Sequence, residues 1–175
     1  MATLRPGPVD VVPFFMEDGY FTRVVVPRAM EKAARHGFDL TLHPPIGVHA
    51  GFPAVLAARA PEGVPLLLVG HGSARSPNRR LAAHVHADAL RATGRFPLVE
   101  SAFLEEPPFV PDALARIGDR PLAVLGLFAQ QGSHARDDLP ALIGATARRH
   151  KPISLGIIGD DPGLRGLIVD LIAKA

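Results

Sequence analysis

The chain has 175 residues, of which 47% are hydrophobic and 21% charged, with a net charge of +2. That is the composition of an ordinary core-forming protein, long enough for one domain or a domain plus a fragment. It has no cysteine, which excludes disulfides and thiolate metal sites and leaves His and carboxylates as ligands. No apolar run approaches the ~20 residues of a membrane helix, the first residues lack a signal-peptide core, and basic residues are not interleaved with aromatics, so a cytoplasmic protein that engages neither membrane nor nucleic acid is expected.

In chain order, Val9 to Phe15 reads as a strand and Met16 to Phe21 as a loop. Thr22 is placed to cap a helix over 23–35, with Gly37 just past its end. Phe38 to Leu42 is a second strand, Pro44 to Gly47 a turn, Phe52 to Arg59 a short helix, and 61–64 a linker. The run Pro65-Leu-Leu-Leu-Val-Gly70 reads as a buried parallel strand, ended by Gly70-His71-Gly72-Ser73. A helix follows over 78–92, with Pro77 near its first turn. Leu98 to Leu104 is a strand that Pro107 and Pro108 stop, and 111–117 is a short helix. Leu122 to Phe128 is a strand and 129–135 a loop. Asp137 and Asp138 open a helix reaching Arg149, both acids favourable at its positive end. Ile153 to Ile158 and Leu164 to Ala173 close the chain as strand and helix. Strands alternating with helices imply an α/β fold with a parallel sheet and right-handed crossovers.

An internal repeat organises this pattern. Phe15, Gly19, Arg23 and Pro27 recur as Phe128, Gly132, Arg136 and Pro140 at a constant offset of 113 residues. Ile46, Gly47 and Gly51 recur as Ile158, Gly159 and Gly163 at an offset of 112. Residues 1–60 therefore read as the second half of a unit that 65–175 completes. The first section has no counterpart of the His71 strand and its helix. Two strands alone rarely make a stable sheet, so this section must pack on the second one or on another chain.

The eight histidines are not equivalent. His84 and His86 lie two apart on a helix, share no face and read as surface or partly packed residues. His36 and His150 fall at helix C-termini, where a cation is favourable. His43 and His49 border the edge at which open α/β sheets bind ligands. His71 and His134 each follow a strand directly, between small residues (Gly70, Gly72 and Ser73; Gly132 and Ser133) that leave an imidazole open to something bulky. Imidazole is a ligand for divalent metals and a base near pH 7. Glu105 falls at the carboxyl end of its strand, on the same edge, and completes a His/His/Glu set suited to a metal or a proton. Glu105-Glu106-Pro107-Pro108 also reads as a plain polar turn.

The segments Leu68-Val-Gly-His71-Gly-Ser73, Val99-Glu-Ser-Ala-Phe-Leu-Glu105-Glu-Pro107 and Leu127-Phe-Ala-Gln-Gln-Gly-Ser-His134-Ala-Arg-Asp-Asp138-Leu-Pro140 resemble, in order and spacing, the small sirohydrochlorin chelatases of cobalamin and siroheme synthesis. Pro13 to Phe21 with Pro44 to Gly47 looks like the matching half of a second such unit. The resemblance implies a chelatase-like three-layer fold, a parallel sheet flanked by helices, with one complete unit at 65–175 and a partial unit at 1–60. It implies insertion of a divalent metal into sirohydrochlorin, Co²⁺ favoured over Fe²⁺ with Ni²⁺ a further option, the ion being a substrate and no permanent cofactor being required. His71 and His134 would hold the ion and remove pyrrole protons, with Glu105 supporting them. Gly72, Ser73, Phe128, Gly132 and Ser133 would line the tetrapyrrole, and Arg136, with Arg23 and Arg75, would meet its carboxylates. Arg79 and Arg80 read as a solvated face. In the first section Phe21 stands where His134 stands in the second, so Glu17, Tyr20 and Phe21 would line the tetrapyrrole face instead of holding metal. A homodimer that completes the cleft is the expected partner. The alternative is a non-catalytic tetrapyrrole- or metal-binding protein, or a truncated inactive relative. A flavodoxin-like domain for another ligand is a third reading, carried by the alternating pattern alone.

Overall fold

The structure, a computed structural model, describes residues 6–72 and 82–174. In chain order its elements are β1 (Gly7–Val11), α1 (Val26–Ala34), β2 (Phe38–Leu42), α2 (Phe52–Arg59), β3 (Leu66–Gly70), α3 (Ala82–Ala92), β4 (Val99–Phe103), α4 (Val110–Ile117), β5 (Ala123–Gly126), α5 (Leu139–Gly144), β6 (Ile153–Ile157) and α6 (Leu164–Ala173). Every strand pairing among the described residues is parallel: β1 with β2 in one sheet, and the order β4-β3-β5-β6 in the other. This is the expected α/β architecture.

The apolar run Leu66–Gly70 is buried throughout because helices cover both faces of its sheet. Leu66 and Leu68 point into one core with Val99, Phe103, Ala123 and Leu125, under α3 and α6. Leu67 and Val69 point into the other with Ala102 and Val124, under α4 and α5. The first section joins the former core through Met16, Ile46, Phe52 and Leu56. It thus packs on the second section, one of the two outcomes its small sheet demanded. Among the described residues no helix is long and apolar enough to cross a membrane.

The repeat is structural as well as sequential. A π-helical turn at Phe21–Val25 leads into α1, and another at His134–Asp138 leads into α5, with Pro27 and Pro140 in the first turn of the α-helix that follows. A 3₁₀ turn at Ile46–Val48 matches one at Ile158–Asp160. Gly47 N–H donates to the Phe15 carbonyl at 2.9 Å and Gly159 N–H to that of Phe128 at 3.0 Å. A Cβ on Gly47 would overlap the Met16 backbone, and one on Gly159 that of Ala129. The helices that follow, α2 and α6, touch each other reciprocally: a Cβ on Gly51 would meet Leu167 at 2.9 Å, and one on Gly163 would meet Val55 at 3.1 Å. Val55 and Leu167 are themselves mates in the repeat, so a local two-fold axis relates the two halves here.

Several boundaries differ from expectation. The first strand is Gly7–Val11 and stops before Pro13, which has no N–H to give a ladder. Thr22 does not cap a helix; its hydroxyl accepts from Gly19 N–H at 2.9 Å and donates to Asp18 Oδ1 at 2.7 Å, inside a helical turn already under way. The helix expected to reach Arg149 ends at Gly144. Beyond it Arg148 reaches back to the carbonyls of Leu114 and Arg120, at 3.1 and 2.8 Å. His150 therefore sits in a turn beside Asp119, at 3.4 Å, and not at a helix end.

Candidate functional site

His71 follows β3 directly, and the end of β4 folds over its backbone. Leu104 N–H donates to the Gly70 carbonyl at 3.2 Å and Glu105 N–H to that of His71 at 3.0 Å. Two glycines make this closure feasible. A Cβ on Gly70 would touch the Phe103 ring at 3.0 Å; one on Gly72 would meet Phe103 and Glu106 at 2.9 Å, and Gly72 has a φ of +77° that side chains rarely adopt. The result holds the His71 ring half-exposed beside the Glu105 carboxylate, with Nδ1 3.7 Å from Oε2. Nδ1 also lies 3.1 Å from the Gly72 carbonyl. Both neighbours are acceptors, an arrangement that favours a proton on Nδ1.

These groups open onto a cavity of about 760 Å³, the size range of small-molecule sites. Its second-section wall holds His71, Gly72, Glu105, Phe128, Gln130 and Gly132; its first-section wall holds Phe15, Met16, Glu17, Tyr20, Phe21 and Thr22. Of the residues singled out in the sequence, eight thus share one space: His71, Gly72, Glu105, Phe128, Gly132, Glu17, Tyr20 and Phe21. Ser133 and Arg136 are exposed and lie outside this lining. The Arg136 guanidinium donates to the Gln131 carbonyl at 3.0 Å, and Gln131 in turn donates to Asp160 at 2.7 Å. Ser73, Arg75, Arg79 and Arg80, and the side chain of His134, lie outside the described residues; the His134 backbone opens the π-helical turn before α5. Among the described residues no three His, Asp or Glu side chains converge as a metal site.

Arg23 is engaged, with Nε and Nη2 at 3.0 and 2.8 Å from Asp18 Oδ2. His43 and His49, placed by sequence at the ligand edge, are not in the cavity wall; they pair with Asp10 at 2.6 Å and Asp170 at 2.9 Å. Glu106 is buried against Gly72. Burial pushes the Glu17 carboxyl above its ordinary value, and the Glu106 charge adds to this while His71 opposes it. Sequence reasoning missed this acidic pairing across the two sections, because only the fold brings residues 17 and 106 together.

Sequence reasoning also missed His86. It is 4% exposed, stacked on Phe52 at 4.7 Å, and donates from Nε2 to the Gly47 carbonyl at 2.7 Å. It fastens α3 to the 3₁₀ turn at Gly47, whose N–H in turn holds the carbonyl of Phe15 in the first-section wall. Its signal lay in the helix spacing, since Ala83, Ala87 and Leu90 put residue 86 on the buried stripe.

A family model, CbiX, matches residues 65–175. A curated relative from Halobacterium salinarum, described as a probable sirohydrochlorin cobaltochelatase, is 30% identical over 170 residues, covering 80% of this chain and 58% of the relative. The chain thus spans less than two thirds of that protein's length. A solved structure of CbiX, described as the terminal enzyme for biosynthesis of siroheme in denitrifying bacteria, is 32% identical and superposes with a TM-score of 0.76 over 95% of this chain and 75% of its own. SirB from Bacillus subtilis, solved with Fe³⁺, shares the fold at 15% identity, with a TM-score of 0.75 over 97% of this chain and 71% of its own. The family match covers well over half of the sequence, including the β3 end, the β4 end and the turn before α5, and on that ground the chain belongs to the CbiX family.

Proposed function

We propose that this chain inserts a divalent metal into sirohydrochlorin, with cobalt favoured over iron. The observation that carries this reading is the His71–Glu105 pair, set at the carboxyl edge of a parallel sheet and opening onto a cavity whose far wall carries the rings of Phe15, Tyr20 and Phe21. The cobaltochelatase description of the Halobacterium relative supports the choice of metal.

Insertion exchanges two pyrrole N–H protons for one M²⁺. It needs a ligand that binds the ion weakly enough to release it, and a base for the protons. A neutral imidazole does both. His71 is one such imidazole and His134 the second in this reading. Glu105 holds the His71 ring and stabilises it when it becomes charged. Gly72, Gly132, Phe128, Ser73 and Ser133 form the second-section side of the substrate site, and Arg136 meets a peripheral carboxylate. The ion leaves with the product, so the protein keeps no metal of its own. A second copy of the chain completes the cleft in this proposal.

The test is absorbance-monitored insertion of Co²⁺, Fe²⁺ and Ni²⁺ into sirohydrochlorin, over a range of protein concentrations. We expect a rate above background that is highest with Co²⁺, rises per chain with concentration, and falls at least ~100-fold when His71→Ala and His134→Ala are combined. Equal rates for parent and double variant would overturn the assignment. A second reading, tetrapyrrole binding without insertion, is favoured by Phe21 at the repeat position of His134; it predicts a shifted sirohydrochlorin spectrum and no turnover with any of the three metals.

A further inference from the structure

The repeat places two copies of one loop on opposite walls of the cavity, and the copies have diverged in what they expose. In the second section Phe128 is turned into the core and is 8% exposed. Its mate Phe15 is 38% exposed, and Tyr20 and Phe21 beside it are 63% and 59% exposed. Of the nine Phe and one Tyr in the chain, Phe109 is the only other one exposed. Large rings clustered in water mark a surface that something covers.

The cluster is ordered. Phe15 and Phe21 stack at 5.9 Å with 15° between their planes, and Tyr20 stands edge-on to Phe21 at 6.0 Å. The backbone beneath is pinned: Gly47 N–H holds the Phe15 carbonyl, Gly47 packs against Met16, and His86 on α3 holds the Gly47 carbonyl. A ledge tied this way to the second section does not have to be ordered when a ligand arrives. All three rings line the same cavity as His71 and Glu105.

We propose that Phe15 and Phe21, edged by Tyr20, form a stacking platform for one face of a flat conjugated macrocycle, so that metal is delivered only to the other face, from His71. The inference rests on the chelatase reading. The physical basis is complementarity of two kinds. Conjugated rings favour offset stacking on aromatic faces, and benzyl rings carry no lone pair with which to intercept the ion. At the position where the second section has a possible ligand, His134, the first section has a surface, Phe21. The carboxylate rim of the macrocycle would then lie at the cavity mouth, in water.

Phe21 is exposed enough for its replacement to leave the fold intact, which makes it the residue to test. Steady-state insertion kinetics and equilibrium absorbance titration with metal-free sirohydrochlorin are compared for the parent, Phe21→Leu and Phe21→Trp. Phe21→Leu should raise KM and Kd roughly five- to tenfold and leave kcat within about twofold; Phe21→Trp should restore both to near the parent values. The platform is refuted if Phe21→Leu binds and turns over like an active parent, if the loss is confined to kcat, or if Phe21→Trp is no better than Phe21→Leu. A parent that neither binds nor metallates sirohydrochlorin overturns the chelatase reading and the platform together.

Discussion

His86 donates from Nε2 to the Gly47 carbonyl, and its buried Nδ1 has no hydrogen-bond partner among the described residues. A second proton on the ring would place an N–H where no described group accepts it. Burial accordingly holds the imidazole below its ordinary value near 6.5, outweighing the Gly47 bond, which pulls the other way. The sign of the stability effect follows. As pH falls below about 6.5 the unfolded chain takes up a proton that the folded chain resists, so stability is full above that value and declines through the window beneath it. Urea midpoints for the parent should therefore fall more steeply between about pH 7 and pH 5 than those of His86→Gln, whose amide offers a donor and does not titrate in that range. Equal slopes would mean that His86 takes up its proton as readily in the folded chain as in the unfolded one.

At the scale of elements, the glycine of each 3₁₀ turn decides whether the strand end before it can lie where it does. Gly47 and Gly159 both pack against the backbone of the residue that opens a cavity-lining loop. Backbone cannot step aside as a flexible side chain can, so Gly47→Ala should cost about 3 kcal/mol or more, seen as a lowered urea midpoint with an unchanged m-value. An unchanged midpoint would show that the loop yields. These turns were legible in the sequence as an Ile-Gly pair recurring at a fixed offset, and β2, α2, β3 and α6 were legible from apolar runs with clear stops. The early end of β1 and the short α5 were less so. Pro13 sits inside an apolar run that by pattern alone continues, and Arg148 leaves the helix for carbonyls that only the tertiary fold brings near. At the site, His71 and Glu105 were legible as residues at strand ends, and Tyr20 and Phe21 only through the repeat and the family resemblance. Their sharing of one space with Phe15, and the burial of Glu106 beneath Gly72, were not, because both depend on how the two sections meet.

At the scale of the whole molecule, the first section contributes little core of its own. No residue of β1, α1 or β2 is buried. Its attachment rests on α2 with Met16 and Ile46, on the His86 and His49–Asp170 bonds, and on Arg59, whose guanidinium donates to the Leu155 carbonyl from Nε and Nη2 at 3.2 and 2.8 Å and reaches Asp161 at 3.3 Å. Arg59→Ala removes these links and leaves the Leu155 carbonyl without that donor. A loss of about 2 kcal/mol is expected, together with faster proteolytic clipping within residues 6–45, which opening of the weaker section would expose. Clipping at the parent rate would mean that the remaining contacts secure the section without Arg59.

The reciprocal contact of α2 with α6, in which Gly51 meets Leu167 and Gly163 meets Val55, has the form of an isologous interface, where a patch meets its own counterpart. Two identical chains joined in that way would be bound to change in step, since each mutation strikes both walls of the cleft at once. With both counterparts encoded in a single chain, either wall can change while the other stays as it was. The tandem arrangement is thus what permits a phenylalanine to face one side of the cavity and a histidine to be retained in the other copy of the same turn, a division of labour closed to a symmetric pair.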